Sequence, residues 1–197
     1  SLGRRVLCAD SVIRIVVDPA NSVYDSRNNC NAVVETATNT LMYGCRNSVI
    51  VDGIEVIGAS AFENCTALNE INIPNSVKMI DDRAFANSAI GLTRIIIGTG
   101  LETIDTEAFV DCGAGTLAAI TCKAQNPPVC ISSVFEDNFT AGLNTTCKLN
   151  VRYSALEQYR TADVWKEFAD IEAFDAPTAV DEVTINKIWS DKGTIYS

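Results

Sequence analysis

One phrase occurs three times between residues 57 and 112: Ile57-Gly58-x-x-Ala61-Phe62-x-x-Cys65, Ile80-Asp81-x-x-Ala84-Phe85-x-x-Ser88 and Ile104-Asp105-x-x-Ala108-Phe109-x-x-Cys112. The phenylalanines of the three copies are spaced 23 and then 24 residues apart. A fixed period of about 20 to 50 residues is typical of proteins that stack one structural repeat on the next. We therefore predict a solenoid.

A second phrase lies between the copies and alternates apolar and variable positions: Leu68-x-x-Ile71-x-Ile73-Pro74-x-x-Val77 and Leu92-x-x-Ile95-x-Ile97-Gly98-x-x-Leu101. This alternation predicts a short strand with its Leu and Ile side chains inward and the intervening positions toward solvent. Corresponding residues recur at intervals of 23, 24 and 25, at Ile50, Ile73, Ile97 and Cys122. We expect these strands to pair in parallel, and the Ala-Phe pairs to fill the opposite wall.

The repeats extend on both sides of this central region. Val12-x-x-Ile15-x-Val17 fits the strand phrase, so we place the solenoid at residues 10–152. Within it, two β-prone runs at 32–35 and 40–43 flank a Thr/Ala/Asn turn, which predicts a β-hairpin inserted at about residues 20–44.

The C-terminal part departs from the repeat. Val134-Phe135 stands where Ala-Phe is expected, and Leu149-x-Val151 supplies one more strand. Residues 153–175 show helical periodicity, with Ser154-x-x-Glu157 as a capping box, and Trp165 and Phe168 are expected to close the end of the core. We interpret 153–175 as a short helical cap and 176–197 as a linker followed by a short β-hairpin.

The repeated phrases resemble a known family. Residues 57–65, Ile71-Asn72-Ile73-Pro74-Asn75-Ser76-Val77, the insertion and the stretch 151–171 are similar to BspA-like leucine-rich-repeat proteins of anaerobic bacteria. The resemblance implies an α/β fold, β-rich, in the form of a right-handed leucine-rich-repeat solenoid. It also implies a surface-exposed or secreted protein that binds proteins or adheres to host or bacterial surfaces. Ser88 departs from the usual Cys, and Val51 and Gly98 stand where Pro is typical.

Charge and hydropathy restrict the partners. The net charge is -10 and no Lys/Arg cluster occurs, which argues against nucleic acid and anionic lipid. No run approaches the roughly 18 apolar residues of a membrane span, so we expect no direct membrane insertion by this chain. The first residues are too polar for a signal peptide, and we expect any signal or anchor to lie outside this chain.

Enzymatic chemistry has little support. The chain has no histidine, which removes the commonest general base and His-ligated metal sites. The adjacent acidic pairs are Asp81-Asp82 and Asp181-Glu182, and Asp81 occupies a turn position of the repeat. The stretch 25–29 lacks the alternating Asp/Asn and distal Glu of a calcium loop. We expect no catalytic residue, cofactor or metal site.

The eight cysteines include no Cys-x-x-Cys pair, which argues against structural zinc. Four of them occupy inward repeat positions, where Cys behaves as a small hydrophobe: Cys45, Cys65, Cys112 and Cys122. In a regular hairpin centred on residues 37–38, Cys30 would lie opposite Cys45. A disulfide between these two is left open.

The outward strand positions form a candidate interaction face: Val16, Val49, Asn72, Ile96, Thr121 and Asn150, beside Arg14, Asn47, Glu70 and Arg94. Apolar contacts with Arg anchors are common in protein interfaces. Strands also favour β-branched residues for their own sake, and the hairpin with Tyr24 and Tyr43 is a competing surface. Two functions stay open: a binding scaffold, or a structural spacer in a larger surface protein whose binding is carried elsewhere.

Overall fold

The computed structural model describes residues 12–68, 70–89, 91–113, 115–135 and 143–177, with two further short strands at 188–189 and 195–196. From residue 56 to residue 151 the chain alternates between two sheets, so that each repeat adds one short strand to each sheet. The strands of the seven-stranded sheet are, in spatial order, β1 (Tyr24–Asp25), β2 (Val33–Glu35), β3 (Thr40–Tyr43), β4 (Val56–Ile57), β6 (Met79–Ile80), β8 (Thr103–Ile104) and β10 (Val129–Cys130). Those of the five-stranded sheet are β12 (Ile171–Ala173), β11 (Lys148–Val151), β9 (Ala119–Cys122), β7 (Arg94–Ile97) and β5 (Ile71–Ile73).

The five-stranded sheet is parallel throughout and confirms the predicted alternation. Ile71 is in register with Ile95, and Asn72 with Ile96. Ile71, Ile73, Ile95 and Ile97 are buried, whereas Asn72 is exposed. The sheet also continues one strand beyond prediction, because Ile171–Ala173 pairs with β11 instead of belonging to a helix.

The Ala-Phe segments form a third wall that is held by backbone hydrogen bonds between repeats. The N–H groups of Ser60 and Phe62 donate to the carbonyls of Asp82 and Ala84 in the next repeat. Ser60 has a φ of 58°, and the matching residues of the later repeats, Arg83, Glu107 and Ser133, have φ values of 54°, 53° and 48°. The residue at this position therefore adopts the left-handed conformation in each of the four repeats, including the degenerate fourth one.

The phenylalanines stack face to face along the axis of the repeats. Ring centroids are 5.1 Å apart for Phe62 and Phe85, 5.2 Å for Phe85 and Phe109, and 5.5 Å for Phe109 and Phe135. All four rings are buried. This Phe stack confirms that Val134-Phe135 takes the place of Ala-Phe.

The C-terminal end of the Phe stack is covered by aromatic side chains. Trp165 and Phe168 meet Phe135 edge to face, with centroids 6.2 and 5.9 Å away. Tyr159 packs against Trp165 and is itself buried. Trp165 lies on one of three short helical segments in this part of the chain: Tyr153–Ala155 and Trp165–Glu167 are 3-10 turns, and Leu156–Tyr159 is one α-helical turn.

The predicted capping box is wrong. Ser154 lies inside the 3-10 turn Tyr153–Ala155, and its hydroxyl hydrogen-bonds the Gln125 side-chain oxygen at 2.8 Å. The helix Leu156–Tyr159 begins without a side-chain cap. The 3-10 turn Tyr153–Ala155 leads directly into this helix. A further one-turn helix, at Leu143–Thr146, precedes β11.

The inserted hairpin contains a bulge that separates Cys30 from Cys45. Val34 pairs with Leu41, but Val33 pairs with Tyr43, so the register shifts by one residue. Cys45 consequently faces Asn31, whose side-chain nitrogen is 3.3 Å from its sulfur. Cys30 packs into the main core and Cys45 into a smaller cluster with Ile15, and both are free thiols.

Residues 12–17 do not form the strand predicted for the start of the array. The Asn31 side chain accepts a hydrogen bond from the N–H of Ile15 at 2.6 Å and donates to the carbonyl of Ile13 at 3.0 Å. One side-chain amide thus makes the two bonds that a residue of a neighbouring parallel strand would make. The inserted hairpin occupies the position in which an earlier repeat would pair. Residues 10 and 11 lie outside the described part of the chain.

Near the C-terminus, β13 (Ile188–Trp189) and β14 (Ile195–Tyr196) pair antiparallel. Asp181-Glu182 lies outside the described residues.

Candidate interaction face

Outward residues of four neighbouring strands form one row across the five-stranded sheet. Asn72 is in register with Ile96, Ile96 with Thr121, and Thr121 with Asn150. Asn72 is exposed, and the other three are half-buried. The parallel register follows from the repeat spacing, because each added unit brings the same position of its strand to the same place in the sheet.

A second row runs beside it and is charged at both ends. Arg94 is in register with Ala119, and Ala119 with Lys148. Glu70 immediately precedes β5 and is exposed. Lys148 contacts Glu172 at 2.9 Å and Asp170 at 3.5 Å, whereas Arg94 makes no ion pair with any residue that the structure describes.

Lys148 was missing from the sequence-derived face. Lys148 precedes Leu149 as Arg94 precedes Ile95. Its equivalent position in the strand phrase therefore identifies it as a face residue from the sequence. Glu172 extends the central row beyond Asn150 and was missed because its strand lay within the predicted helical cap.

The four N-terminal members of the predicted face lie outside the sheet. Arg14 and Val16 belong to residues 12–17, and Asn47 and Val49 belong to a segment that also has no strand. The Asn47 side chain donates to the Ile13 carbonyl at 3.2 Å, which ties these two segments together. Val16 and Val49 are 64% and 59% exposed, so they are surface residues but do not continue the rows.

The hairpin offers less surface than its tyrosines suggested. Tyr43 is only 3% exposed and packs with Ile15, while Tyr24 is half-buried. The exposed residues of the inserted segment are 20–23, 28–29 and the turn at residues 36–38.

The acidic candidates serve local structure. Asp81 accepts the N–H of Asp82 at 2.7 Å, and Asp105 accepts the N–H of Thr106 at 2.6 Å, which confirms their turn role. Asp25 accepts hydrogen bonds from the backbone and guanidinium of Arg27. The Arg27 guanidinium is the main cause that lowers the pKa of Asp25 to about 2, with the Arg27 backbone and Thr36 adding to it.

Several of the described cysteines have a raised thiol pKa. Burial raises the pKa of Cys112 to about 12, although the Ser88 hydroxyl, 3.6 Å from the sulfur, acts in the opposite direction. Cys130 and Cys147 also have pKa values raised to about 12, chiefly by burial. A thiolate is the nucleophilic and metal-binding form, so these groups are poorly suited to either chemistry. Among the described residues, no three Cys, Asp or Glu side chains converge as a potential metal site.

The repeats that contribute strands to both sheets and rings to the Phe stack match a known sequence family. The family model for the BspA type leucine rich repeat region matches residues 37–139 in six copies, just over half of the chain. The chain belongs to this family. The matched BspA-type region contains β5, β7 and β9 and all four rings of the Phe stack, and β11 with the face residue Asn150 follows it.

No curated protein matches the chain. Over the part of this BspA-type chain that the structure describes, none of the helices has the length and apolar character needed to cross a membrane.

Proposed function

We propose that this chain is a non-enzymatic binding scaffold, surface-exposed or secreted, that contacts a protein or another surface component of a host or of other bacteria. The BspA-type repeats support a protein-binding role. The observation that carries the proposal is the pair of registered rows on the five-stranded sheet, centred on Arg94 and Ile96. Arg94 is exposed and Ile96 is half-buried, so an Arg anchor stands beside an apolar contact.

The proposal includes an architecture. Residues 10–152 form a right-handed solenoid carrying the hairpin insertion, 153–175 act as its C-terminal cap, and 176–197 form a linker and tail. The aromatic contacts at the end of the Phe stack support the capping role, because a terminal repeat has no neighbour to cover its apolar edge.

The test is the double variant Arg94→Asp/Ile96→Asp. Adhesion of the purified protein to immobilised bacterial cells and to extracellular-matrix preparations is measured by biolayer interferometry. Loss of a central Arg and apolar contact should weaken binding by about 30-fold or more, since hot-spot residues contribute at least about 2 kcal/mol. Circular dichroism must show an unchanged fold.

The matched control is Lys78→Asp/Met79→Asp, which makes the same charge change on the seven-stranded sheet. Lys78 is exposed and Met79 half-buried, as Arg94 and Ile96 are. Equal loss of binding in both variants would show a general charge effect and refute the face. If binding survives both and disappears in Ala37→Lys/Thr38→Lys, the hairpin turn is the recognition element.

The alternative function is a structural spacer within a larger cell-surface protein. The stacked repeats themselves favour it, because they hold the two ends of the region apart regardless of surface chemistry. Absence of saturable binding by the unmodified protein to all surfaces tested would support the spacer.

A further inference from the structure

The five-stranded sheet has an open edge at β5. Ile71 and Ile73 use their backbone groups to pair with β7, and the carbonyl of Ile73 accepts the N–H of Gly98 at 2.8 Å. In a parallel ladder alternate residues bond to opposite neighbours, so the N–H and C=O of Asn72 point away from β7. Among the described residues, none hydrogen-bonds these two groups of Asn72.

The chain segment on that side lies next to β5 without pairing to it. Ser48 and Val49 direct their N–H groups to the carbonyls of Cys45 and Cys30, both at 2.9 Å. A cavity of about 210 Å³ remains between this segment and β5. The N–H groups of Ser48 and Val49 are therefore already bonded within their own part of the chain, and Asn72 is exposed.

The cavity is apolar inside and acidic at its rim. Phe62, Phe85 and Leu68 contribute buried apolar surface to its lining. Glu70 also lines it, is exposed, and has no ion-pair partner in the described part of the chain. Across the sheet, Glu70 and Arg94 take matching positions, since each immediately precedes one of the registered residues Ile71 and Ile95.

We propose that this cavity binds an extended peptide segment of a protein partner, in which a basic residue is followed directly by an aromatic one. The peptide backbone pairs with the N–H and C=O of Asn72. The aromatic side chain enters the cavity, and the basic side chain meets Glu70.

The order of the two side chains follows from the geometry of the sheet. Registered residues of neighbouring strands point to the same face, so a peptide residue beside Ile71 points inward and one beside Glu70 points outward. Every pair within this sheet is parallel, which puts the outward residue first in the peptide. Recognition of this kind is strand addition, with backbone bonds for affinity and a side-chain pocket for specificity.

The size of the cavity favours a side chain over a cofactor. A cavity of about 150 Å³ lined by apolar residues binds benzene, whereas sites for drug-sized ligands range from about 300 to 1,000 Å³. A volume of about 210 Å³ therefore fits one aromatic ring. The phenyl rings of Phe62 and Phe85 supply a matching surface for it.

This inference rests on the proposed function, because Glu70 and Asn72 belong to the proposed face. The probe is the capped pentapeptide acetyl-Ser-Lys-Phe-Val-Thr-amide, titrated into the nitrogen-15-labelled protein and followed by two-dimensional NMR. We expect saturable shifts at Asn72 and Glu70, and slower solvent exchange of the Asn72 amide. Absence of saturable shifts around the cavity would overturn the proposal.

Two pairs of variants test its separate parts. Glu70→Lys should weaken binding of the Lys-Phe peptide by about tenfold and favour the Glu-Phe analogue, because it replaces an attraction by a repulsion. The control Glu102→Lys makes the same charge change near the other sheet and should leave both affinities unchanged. Equal effects of the two substitutions would overturn the role of Glu70.

Asn72→Pro removes the backbone donor at a position where an edge strand tolerates proline, and it should abolish peptide binding. Asn72→Ala keeps the N–H and should bind as the unmodified protein does. Unchanged binding by Asn72→Pro would overturn strand addition. If Asn72→Pro does not fold, the exchange rate of the Asn72 amide in the unmodified protein decides the point, since an exchange rate unaffected by peptide contradicts pairing.

The double variant Arg94→Asp/Ile96→Asp separates this inference from the proposed function, because neither residue lines the cavity. Peptide binding together with adhesion that survives the double change would refute the wider face and leave the cavity proposal standing. Loss of adhesion in the double variant, with no peptide binding to the unmodified protein, would support the wider face and refute the cavity proposal.

Discussion

Replacing Trp165 by alanine tests whether the aromatic cluster at the C-terminal end stabilises the repeats. The side chain is fully buried, and its centroid lies 5.5 Å from Tyr159 and 6.2 Å from Phe135. Its indole N–H donates to the Pro128 carbonyl at 2.8 Å. Trp165→Ala should therefore lower the free energy of unfolding by about 3–5 kcal/mol, the usual cost of truncating a buried Trp.

That loss is large relative to the about 5–15 kcal/mol that stabilises a typical domain. At this chain length it corresponds to a melting temperature about 6–20 °C lower. Trp165→Phe keeps a ring but removes the indole donor from the Pro128 carbonyl, which then keeps only the weak Cys130 thiol donor, and this should cost about 1–3 kcal/mol. Urea unfolding followed by far-ultraviolet circular dichroism measures both changes.

The matched control is Glu167→Ala, on the same 3-10 turn but exposed, which should change stability by no more than about 0.5 kcal/mol. Trp165→Ala with an unfolding midpoint equal to that of the control would refute the reasoning. The segment would then be an appended tail that contributes nothing to the repeats.

Three more outcomes are expected. Gly44→Ala should destabilise the protein by about 1–3 kcal/mol in urea unfolding, because the added Cβ would overlap the Phe62 ring; an unchanged midpoint would contradict this packing. The folded-state pKa of Asp25, about 2, lies below its usual 3.8, so its stabilising contribution is present above about pH 4 and is lost as pH falls toward 2. The difference in unfolding free energy between the unmodified protein and Asp25→Asn should therefore shrink over that interval, and a constant difference would be evidence against the pairing with Arg27. Cys112 should resist iodoacetamide at pH 8 in the native protein and react in guanidinium chloride, as read by mass mapping; rapid native alkylation would show that the site is accessible.

The regular part of the fold was predictable because it repeats. Each copy of the Ala-Phe phrase was evidence for the others, so even Val134-Phe135 could be assigned, and Phe135 takes its place in the Phe stack. The face residues on β5, β7, β9 and β11 followed from the same spacing. A period fixes register without any knowledge of turns or loops.

The non-repeated parts were not predictable in the same way. The bulge opposite Val33 and Val34 adds one residue, Met42, to β3, and nothing in the alternation of the hairpin marks it. That single residue puts Asn31, and not Cys30, opposite Cys45.

The prediction that residues 12–17 contribute a strand to the face was wrong for a related reason. Residues 12–17 carry the strand phrase, but their backbone bonds go to the side chains of Asn31 and Ser26. Ile171–Ala173 was missed because its three residues follow a helical pattern and have no copy elsewhere. Local pattern does not determine which partner a strand finds.

The Phe stack and the paired walls also determine how the protein would respond to tension. Each repeat is one layer thick, with rings 5.1 to 5.5 Å apart, yet it contains 23 or 24 residues of chain. Pulled from its ends, a repeat that detaches should release about 80 Å of contour length, from about 3.3–3.6 Å per residue. The N-terminal layer, fastened by side-chain amides, should detach before the end covered by Trp165 and Phe168. Evenly spaced steps in a force–extension measurement would show that the chain lengthens one repeat at a time and can act as an extensible tether.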